Sequence, residues 1–359
     1  MMQQSGYRAL RHVLFRLDPE IAHNISLYLL SVAPKFKPVR RWLNHLFDYN
    51  NPRLVTSVFG LRFVNPVGIA AGYDKNAIAV DGLGILGAGH VEVGTITPSS
   101  QYGNQRPRIF RLSEDSALIN RMGFPNHGME TVAPRLAKPR SIRLGLNIGK
   151  GSDTALEQSV SDYTKMIDRL QHLVDYLVVN ISSPNTPGLR ALQGHELLEG
   201  FLLPVMELHA EVCPDRPLLV KISPDITISD LDNLLDIVVR HGVSGLIATN
   251  SSLNRGGLSY PRHIEKGGLS GRPLHDRSNN IIRHIYRQTG GQLPIIGVGG
   301  IDSSRAALDK IRSGASLVQV YTGLVYRGPG LIRQIKLGIA NELENLGVDS
   351  VGDIVGVSI

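Results

Sequence analysis

Residue types that bind small ligands recur where the apolar runs of this sequence end. For any single asparagine at such a place, capping of the following turn is the better explanation. Asparagine or lysine at the end of several strands indicates a ligand site instead, because loops that follow parallel strands carry function. These strand-end residues are Lys75, Thr95, Asn147, Asn180, Lys221, Thr249, Asn250, Gly300 and Tyr321.

Glycines follow the last two apolar runs, in GVGG at 297–300 and YTG at 321–323. After the seventh and eighth strands of a barrel, such loops often bind a phosphate through backbone amides. Glycine also serves tight turns, but its presence at both places favours a phosphorylated, nucleotide-like ligand. No GxxxxGK[ST] loop and no GxGxxG between a first strand and helix is present, so neither a P-loop nor a Rossmann site is indicated. The remaining candidate is flavin mononucleotide (FMN).

The loop SSPNTPG at 182–188 raises a separate question. Neither a histidine nor an acidic residue stands beside its two serines, and a serine hydroxyl alone is a poor base at neutral pH. Pro184 and Pro187 restrict the backbone, which would help to aim a hydroxyl. On composition alone the loop only turns the chain.

The elements that must position these residues follow a regular rhythm. After a predicted hairpin in VTSVFGLRFVNP, eight apolar runs alternate with stretches of helical periodicity. This alternation predicts an α/β fold, a (β/α)8 TIM barrel rather than an open doubly wound sheet. The two longest loops, which include 120–128 and 267–274, are candidates for a lid and for phosphate contact. The eight runs are 66–72, 90–95, 144–149, 176–182, 217–223, 245–250, 294–300 and 317–323.

The first 41 residues carry a net charge of +5 out of a total of +7. Apolar spacing predicts two short helices there, the second with Asp18 as N-cap and Pro19 in its first turn, and Pro34 and Pro38 closing the segment. One interpretation is a helical cap whose apolar faces pack on the main domain. The other is a membrane-surface module with a basic rim toward anionic lipid.

Composition excludes several classes of protein. Cys213 is the single cysteine, so the chain forms no internal disulfide and holds no iron–sulfur centre or structural zinc. No apolar run approaches the roughly 20 residues that span a bilayer, and no signal peptide is indicated. A reducing, cytosolic compartment without a metal or a nucleic-acid partner is expected.

A set of ordered motifs resembles that of the dihydroorotate dehydrogenases over nearly the whole chain. DPEIAH at 18–23 and Ser183, where the soluble class has cysteine, resemble the membrane-associated, quinone-reducing class 2. The other motifs are AAGYDKN (70–76), VGTITP (93–98), INRMGF (119–124), LGLNIGK (144–150), VNISSPNTPGLR (179–190), VKISPD (220–225), ATNSS (248–252), GGLSGRPL (267–274) and GVGGIDS (297–303).

The resemblance implies a reaction and a cofactor. The family oxidises (S)-dihydroorotate to orotate in pyrimidine (UMP) synthesis, with hydride passing to FMN and electrons then to ubiquinone or menaquinone. Lys221 suits the N1 side of the flavin, where a cation stabilises the reduced ring. The residues implied to hold one FMN per chain are Ala71, Gly72, Tyr73, Asp74, Lys75, Thr95, Asn147, Asn180, Lys221, Thr249, Gly271, Gly300, Tyr321 and Thr322.

The resemblance also implies a substrate site with Ser183 as the catalytic base. Asparagine amides would donate to and accept from the pyrimidine ring, and Lys75 would pair with its carboxylate. Tyr73 in place of leucine or phenylalanine, and Ser251 in place of threonine, depart mildly from the family pattern. The implied substrate residues are Lys75, Asn120, Arg121, Met122, Gly123, Phe124, Asn180, Asn185, Asn250 and Ser251.

In the quinone-reducing class, N-terminal helices form a hydrophobic tunnel that opens to the membrane. His23, Arg111 and Tyr321 match positions that line it. The expected organisation is a membrane and quinone-tunnel segment at 1–45 and an FMN barrel at 46–359, in a monomer peripheral to the cytoplasmic face of the inner membrane. Two rivals remain: a soluble dihydroorotate dehydrogenase that uses fumarate or NAD, and a non-enzymatic peripheral membrane protein that binds FMN.

Overall fold

The computed structural model describes residues 2–259 and 265–359. Its helices are α1 (Met2–Leu14), α2 (Pro19–Val32), α3 (Lys37–Phe47), α4 (Val80–Ile85), α5 (Met129–Leu136), α6 (Ser159–Leu170), α7 (His195–Val212), α8 (Ile228–Arg240), α9 (His275–Thr289), α10 (Ser304–Arg312), α11 (Thr322–Arg327) and α12 (Leu331–Leu346). Its strands are β1 (Thr56–Val58), β2 (Leu61–Phe63), β3 (Val67–Ile69), β4 (His90–Ile96), β5 (Ile109–Leu112), β6 (Ala117–Asn120), β7 (Arg143–Ile148), β8 (Tyr176–Asn180), β9 (Leu218–Ile222), β10 (Gly245–Ala248), β11 (Gly268–Gly271), β12 (Ile295–Val298) and β13 (Leu317–Val320).

The eight predicted apolar runs form a closed parallel barrel in the order β10-β12-β13-β3-β4-β7-β8-β9. The prediction of a TIM barrel is therefore confirmed. Both faces of each strand are covered, which explains why the runs are almost continuously apolar rather than alternating. The predicted hairpin is also present as β1 and β2, which pair antiparallel.

Side chains that point into the barrel change character along its axis. At the end where the strands begin, Phe63, His90 and Tyr176 pack edge to face. Further along come Glu92 and Gln319, and Asn180 and Lys221 lie at or next to the last residue of their strands. Because the first layer is packed and the last is polar, ligand chemistry is confined to the carboxyl ends of the strands.

The N-terminal region contains three helices, whereas the spacing of apolar residues predicted two. Pro38 does not close the segment, because it stands in the first turn of α3, where proline leaves no helical hydrogen bond unmade. Asp18 caps α2 as predicted, accepting from the backbone N–H groups of Glu20 and Ile21. No helix in the described part of the chain is long and apolar enough to span a membrane.

The two long loops are not irregular. Together they form an antiparallel sheet in the order β11-β6-β5 that stands over the barrel mouth, with Asn120 opposite both Gly268 and Ile109. Pairing between segments almost 150 residues apart has no local sequence signal. This sheet, which we call the mouth sheet, contacts the end of α1 through Arg111 on β5 and contributes Asn120, Ser270 and Gly271 to the cavity described below.

Candidate active site

A cavity opens at the carboxyl ends of the barrel strands. It brings together most of the residues predicted to bind cofactor and substrate. The predicted residues that line it are Ala71, Gly72, Lys75, Thr95, Asn120, Met122, Gly123, Phe124, Asn180, Ser183, Asn185, Lys221, Thr249, Asn250, Ser251, Gly271, Gly300, Tyr321 and Thr322.

The floor of this cavity rests on a fully buried carboxylate. Glu92 accepts hydrogen bonds from Lys221 Nζ at 3.2 Å and Asn147 Nδ2 at 2.7 Å through Oε1, and from Gln319 Nε2 at 2.8 Å through Oε2. Lys221 and Gln319 reach the cavity, and Glu92 lies beneath them. A cation is thereby held at the floor with its countercharge on the far side.

Amides continue this network toward the cavity rim. Asn147 Oδ1 accepts from Thr95 Oγ1 at 2.5 Å and from Asn180 Nδ2 at 3.1 Å. Asn180 Oδ1 in turn accepts from the hydroxyl and the N–H of Ser182, and Asn250 Nδ2 donates to Ser182 Oγ at 2.9 Å. Each amide has a defined orientation, so the site offers a fixed pattern of donors and acceptors.

Ser183 is buried and lines the cavity. Its Oγ accepts the backbone N–H of Asn185 at 3.2 Å, which leaves the proton of the hydroxyl available for donation. Among the described residues, no histidine or carboxylate hydrogen-bonds to this hydroxyl. The side chain of Asn185 donates from Nδ2 to Asn120 Oδ1 at 3.1 Å, so the loop after β8 is hydrogen-bonded to the mouth sheet.

Lys75 projects into the cavity from the loop after β3. Its Nζ donates to Gly72 O at 2.6 Å. Burial and the positive charge of Arg108 lower its pKa, the carboxylates of Glu20 and Asp74 oppose them, and the pKa falls to about 8. Lys75 is therefore still mostly protonated at pH 7 and can pair with a carboxylate.

Several features fit FMN. In the described structure, Thr249 Oγ1 and Gln319 Oε1 are buried without a hydrogen-bond partner, although both residues line the cavity. Polar atoms of this kind are expected to meet a bound group. Gly271 has φ +105°, and a Cβ there would lie 2.5 Å from Ser116 O. Glycine at this position thus allows the backbone of β11 to approach the backbone at Ser116 closely beside the cavity.

Four of the residues predicted to bind cofactor or substrate lie outside the cavity lining. Asn147 is just beneath it, as described. Asp74 is buried and accepts the backbone N–H groups of residues 76, 78 and 79, so it shapes the loop that carries Lys75. Arg121 points away from the cavity, forms an ion pair with Glu265 and stacks over Phe110. Tyr73 belongs to the aromatic row described next.

An aromatic row leads from α2 to the cavity. The rings of His23 and Tyr73 lie 5.2 Å apart, and those of Tyr73 and Tyr321 lie 5.8 Å apart, both edge to face. Burial and the nearby charge of Lys75 lower the pKa of His23 to about 3, so the imidazole is neutral at pH 7. Only Tyr321 of the three lines the cavity.

Arg111, on β5, holds the end of α1 rather than lying free in solvent. Its NH1 donates to Leu17 O at 2.8 Å and Phe15 O at 3.3 Å, and its guanidinium stacks on the Phe15 ring at 4.6 Å. The Phe15 ring packs edge to face on Tyr326, which lines the cavity. Arg111 therefore links α1 to the mouth sheet.

Sequence reasoning missed residues whose partners are distant in the chain. Arg190 joins two active-site loops by donating to Ser182 O, Ser251 O and Asp225. The only sequence indication of Glu92 and Gln319 is a polar residue inside an otherwise apolar run, in HVEVGT and LVQVYTG. Other cavity residues were not named individually, although Val298, Gly299, Gly323 and the stretch 267–274 belong to segments predicted to contact phosphate and Pro184 to the SSPNTPG loop. The cavity residues outside these segments are Ala70, Ser116, Ile301, Asp302 and Tyr326.

Known proteins resemble this chain over nearly its whole length. The family model described as "Dihydroorotate dehydrogenase" matches residues 53–343. A "Dihydroorotate dehydrogenase (quinone)" from Anaeromyxobacter dehalogenans is 47% identical, with 97% of this chain and 96% of that protein covered. A protein of the same name from Gloeobacter violaceus is 48% identical, with 98% of each covered.

Solved structures agree with this relationship. The dihydroorotate dehydrogenase (DHODH) of Eimeria tenella in complex with ferulenol superimposes with a TM-score of 0.87 at 38% identity, covering 95% of this chain and 96% of that chain. Its ligand-free form gives the same TM-score. The chain therefore belongs to the dihydroorotate dehydrogenase family, in its quinone-linked class.

Proposed function

We propose that the cavity at the barrel mouth is where this chain oxidises (S)-dihydroorotate to orotate, the reaction of its family in de novo pyrimidine biosynthesis, with a membrane quinone as electron acceptor. Family membership supports the reaction. One structural observation supports the location of the reaction: a buried serine, a lysine and a set of asparagines line the same cavity. They are Ser183, Lys75, Asn120, Asn180, Asn185 and Asn250.

FMN is the cofactor that the family implies, and the cavity floor is where we place it. When bound, it accepts two electrons from the substrate and passes them to the quinone. Lys221 would stabilise negative charge on the reduced ring, and Thr249 and Gln319 would direct their unpartnered oxygens to it. The other residues proposed to hold it are Ala71, Gly72, Thr95, Asn180, Gly271, Gly300, Tyr321 and Thr322, with Asn147 supporting them from below.

The substrate would lie between this floor and the mouth sheet. Lys75 would pair with its carboxylate, and asparagine amides would donate to the ring carbonyls and accept from the ring N–H groups. Met122, Gly123 and Phe124 would close the same side. Ser251, which stands at the rim with its backbone N–H bonded to Asn250 Oδ1, would orient that asparagine.

Ser183 is the proposed base. Oxidation removes a proton from C5 of dihydroorotate as hydride leaves C6. Ser183 Oγ would accept the C5 proton while giving up its own to water or to a neighbouring hydroxyl. The bond from the Asn185 N–H stabilises negative charge on that oxygen, and the adjacent Pro184 restricts the loop.

The first 45 residues are proposed as the membrane-binding and quinone-tunnel segment, and residues 46–359 as the catalytic barrel. α2 directs Ile21, Ile25, Tyr28 and Leu29 into solvent, with exposed fractions of 41–65%. Exposed apolar stripes of this kind mark membrane or protein contacts. The chain would lie as a monomer on the cytoplasmic face of the inner membrane, and His23, Arg111 and Tyr321 would border the path of ubiquinone or menaquinone.

An absorption spectrum tests this function. The purified protein is expected to show the two visible bands of bound FMN, to bleach on anaerobic addition of dihydroorotate, and to regain colour on addition of a quinone. Fumarate and NAD serve as matched acceptors in parallel samples. Recovery of colour with either of them at the rate seen with quinone would contradict the quinone assignment, and absence of bleaching would contradict the substrate.

A further inference from the structure

Glu92 is a buried charge that the proposed mechanism does not yet use. It is 0% exposed, lies on β4, and receives hydrogen bonds from side chains on three other strands: Asn147 on β7, Lys221 on β9 and Gln319 on β13. These strands stand on different sides of the barrel. The carboxylate is therefore near the barrel axis, directly under the floor of the cavity.

Stability alone is a poor explanation for this pair. Desolvating two charges costs about as much as their attraction returns, and replacing a buried pair by apolar residues is often neutral or stabilising. Glu92 also makes no contact with the cavity, whereas its two partners Lys221 and Gln319 line it. An effect of Glu92 on a ligand must therefore pass through these neighbours.

One effect concerns the charge of Lys221, whose side chain is 5% exposed. Burial disfavours an ammonium group unless an anion compensates it. The Nζ atom lies 3.2 Å from Glu92 Oε1. This anion both neutralises the ammonium and fixes its position at the floor.

The other effect concerns the direction of the amides. A carboxylate only accepts hydrogen bonds, so Asn147 must turn its NH2 group to Glu92 and its Oδ1 upward. That oxygen then accepts from Asn180 Nδ2, which leaves Asn180 Oδ1 to accept from Ser182 and, at 3.4 Å, from Asn250. The donor and acceptor order of the site begins at Glu92.

We propose that Glu92 is a positioning residue for the flavin and substrate site: its ion pair aligns the Lys221 ammonium at the floor, and it sets the orientation of the Asn147 and Asn180 amides. The proposal rests on the proposed function, in which Lys221 lies against the FMN ring and Asn180 contacts substrate.

Glu92→Gln is the informative variant, because it is isosteric and can be accommodated. Gln319 Oε1 has no partner among the described residues, so rotation of the Gln319 amide would supply an acceptor for the new NH2 group. Because this rotation also turns that oxygen away from FMN, with or without Lys221, the role of Lys221 is measured by comparing the single and double variants. In the variant, the affinity for reduced FMN is expected to fall about tenfold relative to the affinity for oxidised FMN. For a two-electron couple this lowers the reduction potential of the bound flavin by about 30 mV. Lys221→Met should shift the potential in the same direction by at least as much.

The double variant Glu92→Gln/Lys221→Met sharpens the test and keeps the site free of an unpaired buried charge. If Glu92 acts through Lys221, Glu92→Gln lowers the potential in the parent but raises it, or leaves it unchanged, when Lys221 is already Met. A higher potential or no change in the single Glu92→Gln variant would overturn the proposal. An unchanged potential in Lys221→Met alone would instead refute the placement of Lys221 at the flavin, and with it the proposed cofactor site.

Orotate binding tests the part that concerns the amides. Loss of one well-oriented neutral hydrogen bond weakens binding by about 3- to 10-fold, and orotate titrated into FMN-loaded Glu92→Gln should show a loss of this size. Thermal unfolding of the loaded variants provides the control for folding. Unchanged orotate affinity would overturn the proposed role in amide orientation.

Discussion

The helical segment, α1 to α3, and the barrel mouth distribute polarity in opposite ways. In α2 the apolar stripe faces solvent, with Tyr28 65% and Leu29 59% exposed, while the acidic Glu20 is buried against the barrel. At the mouth, amides and cations point inward and apolar side chains form the surrounding core. A helix on the surface of a globular protein usually buries its apolar side chains and exposes its charged ones, which is the opposite of what α2 does. The exposed stripe therefore favours the membrane interpretation over a helical cap packed on the core.

The two regions meet through polar and aromatic contacts. Glu20 accepts from Arg108 at 2.7 and 3.0 Å and from Arg106 at 2.9 Å. Burial raises the pKa of Glu20, but hydrogen bonds and charges of Arg108 and Arg106 outweigh it and hold the pKa below its ordinary value. These charged contacts fix α2 at a defined place on the barrel, while quinone access and substrate oxidation are two proposed functions that variants can separate.

The largest expected effect lies entirely within the barrel mouth. Ser183→Ala should retain FMN and bind orotate, yet bleaching by anaerobic dihydroorotate should slow by about 10²- to 10⁴-fold, the usual contribution of a positioned base. In the parent protein the same step should accelerate as pH rises, because the serine must lose a proton. Stopped-flow absorbance at saturating substrate measures both.

Ser152→Ala is the matched control, because Ser152 is exposed on the loop after β7, outside the cavity lining. It should bleach at the parental rate. If Ser183→Ala bleaches within a few-fold of the parental rate, Ser183 is not the base. Its hydroxyl would then only stabilise the turn by accepting the Asn185 N–H.

The next effect is confined to the helical segment. Ile25→Ser combined with Leu29→Ser removes two exposed apolar side chains from α2. At about 1.5 kcal/mol for each side chain that enters the bilayer, binding to lipid vesicles should weaken by about 10²-fold. Reduction of a long-chain quinone in vesicles should fall with it, while bleaching by dihydroorotate should not change.

Leu197→Ser combined with Leu203→Ser is the control for this pair. Both leucines are on α7 of the barrel and are similarly exposed, at 48% and 43%. Their replacement should leave vesicle sedimentation unchanged. Equal losses in the two double variants would mean that general hydrophobicity, not the stripe on α2, drives binding.

The same contrast explains what the sequence could predict. The strand-end residues Lys221 and Asn250 follow apolar runs, so a local pattern places them at the mouth once a barrel is assumed. The stripe on α2 was predicted from its spacing, but spacing does not tell which side meets water, since the deciding partners Arg106 and Arg108 lie more than 80 residues away. Glu92 was not predicted as a site residue for the same reason, because its partners Asn147, Lys221 and Gln319 are at least 55 residues away in the chain.

A smaller effect, on substrate binding, depends on pH and concerns Lys75, whose charge interacts with that of Glu20 on α2. The pKa of Lys75 is about 8, below its ordinary value, so its charge is present below that pH and lost above it. Dihydroorotate binding should weaken by about tenfold for each pH unit above about 8, because a neutral amine cannot pair with the carboxylate. Lys75→Met should bind weakly at all pH values with a flat profile. A parental profile that is flat between pH 7 and 9.5 would remove Lys75 from the carboxylate site.

The smallest effect concerns Tyr73, at the centre of the aromatic row. Burial raises the pKa of its hydroxyl, and the neighbouring Tyr321 and Tyr7 add to the effect, so the ring stays neutral and acts by packing. Tyr73→Phe keeps both edge-to-face contacts and should change quinone reduction by less than about twofold. Tyr73→Leu loses them, and loss of the one pair that joins the row to α2, with His23, at about 0.5–1.5 kcal/mol should lower quinone reduction about 2- to 10-fold. Bleaching by dihydroorotate should be unaffected in both, because Tyr73 lies outside the cavity lining. Steady-state quinone kinetics beside stopped-flow bleaching distinguishes the two steps, and equal losses in both for Tyr73→Leu would show that the helical segment and the barrel mouth do not act separately.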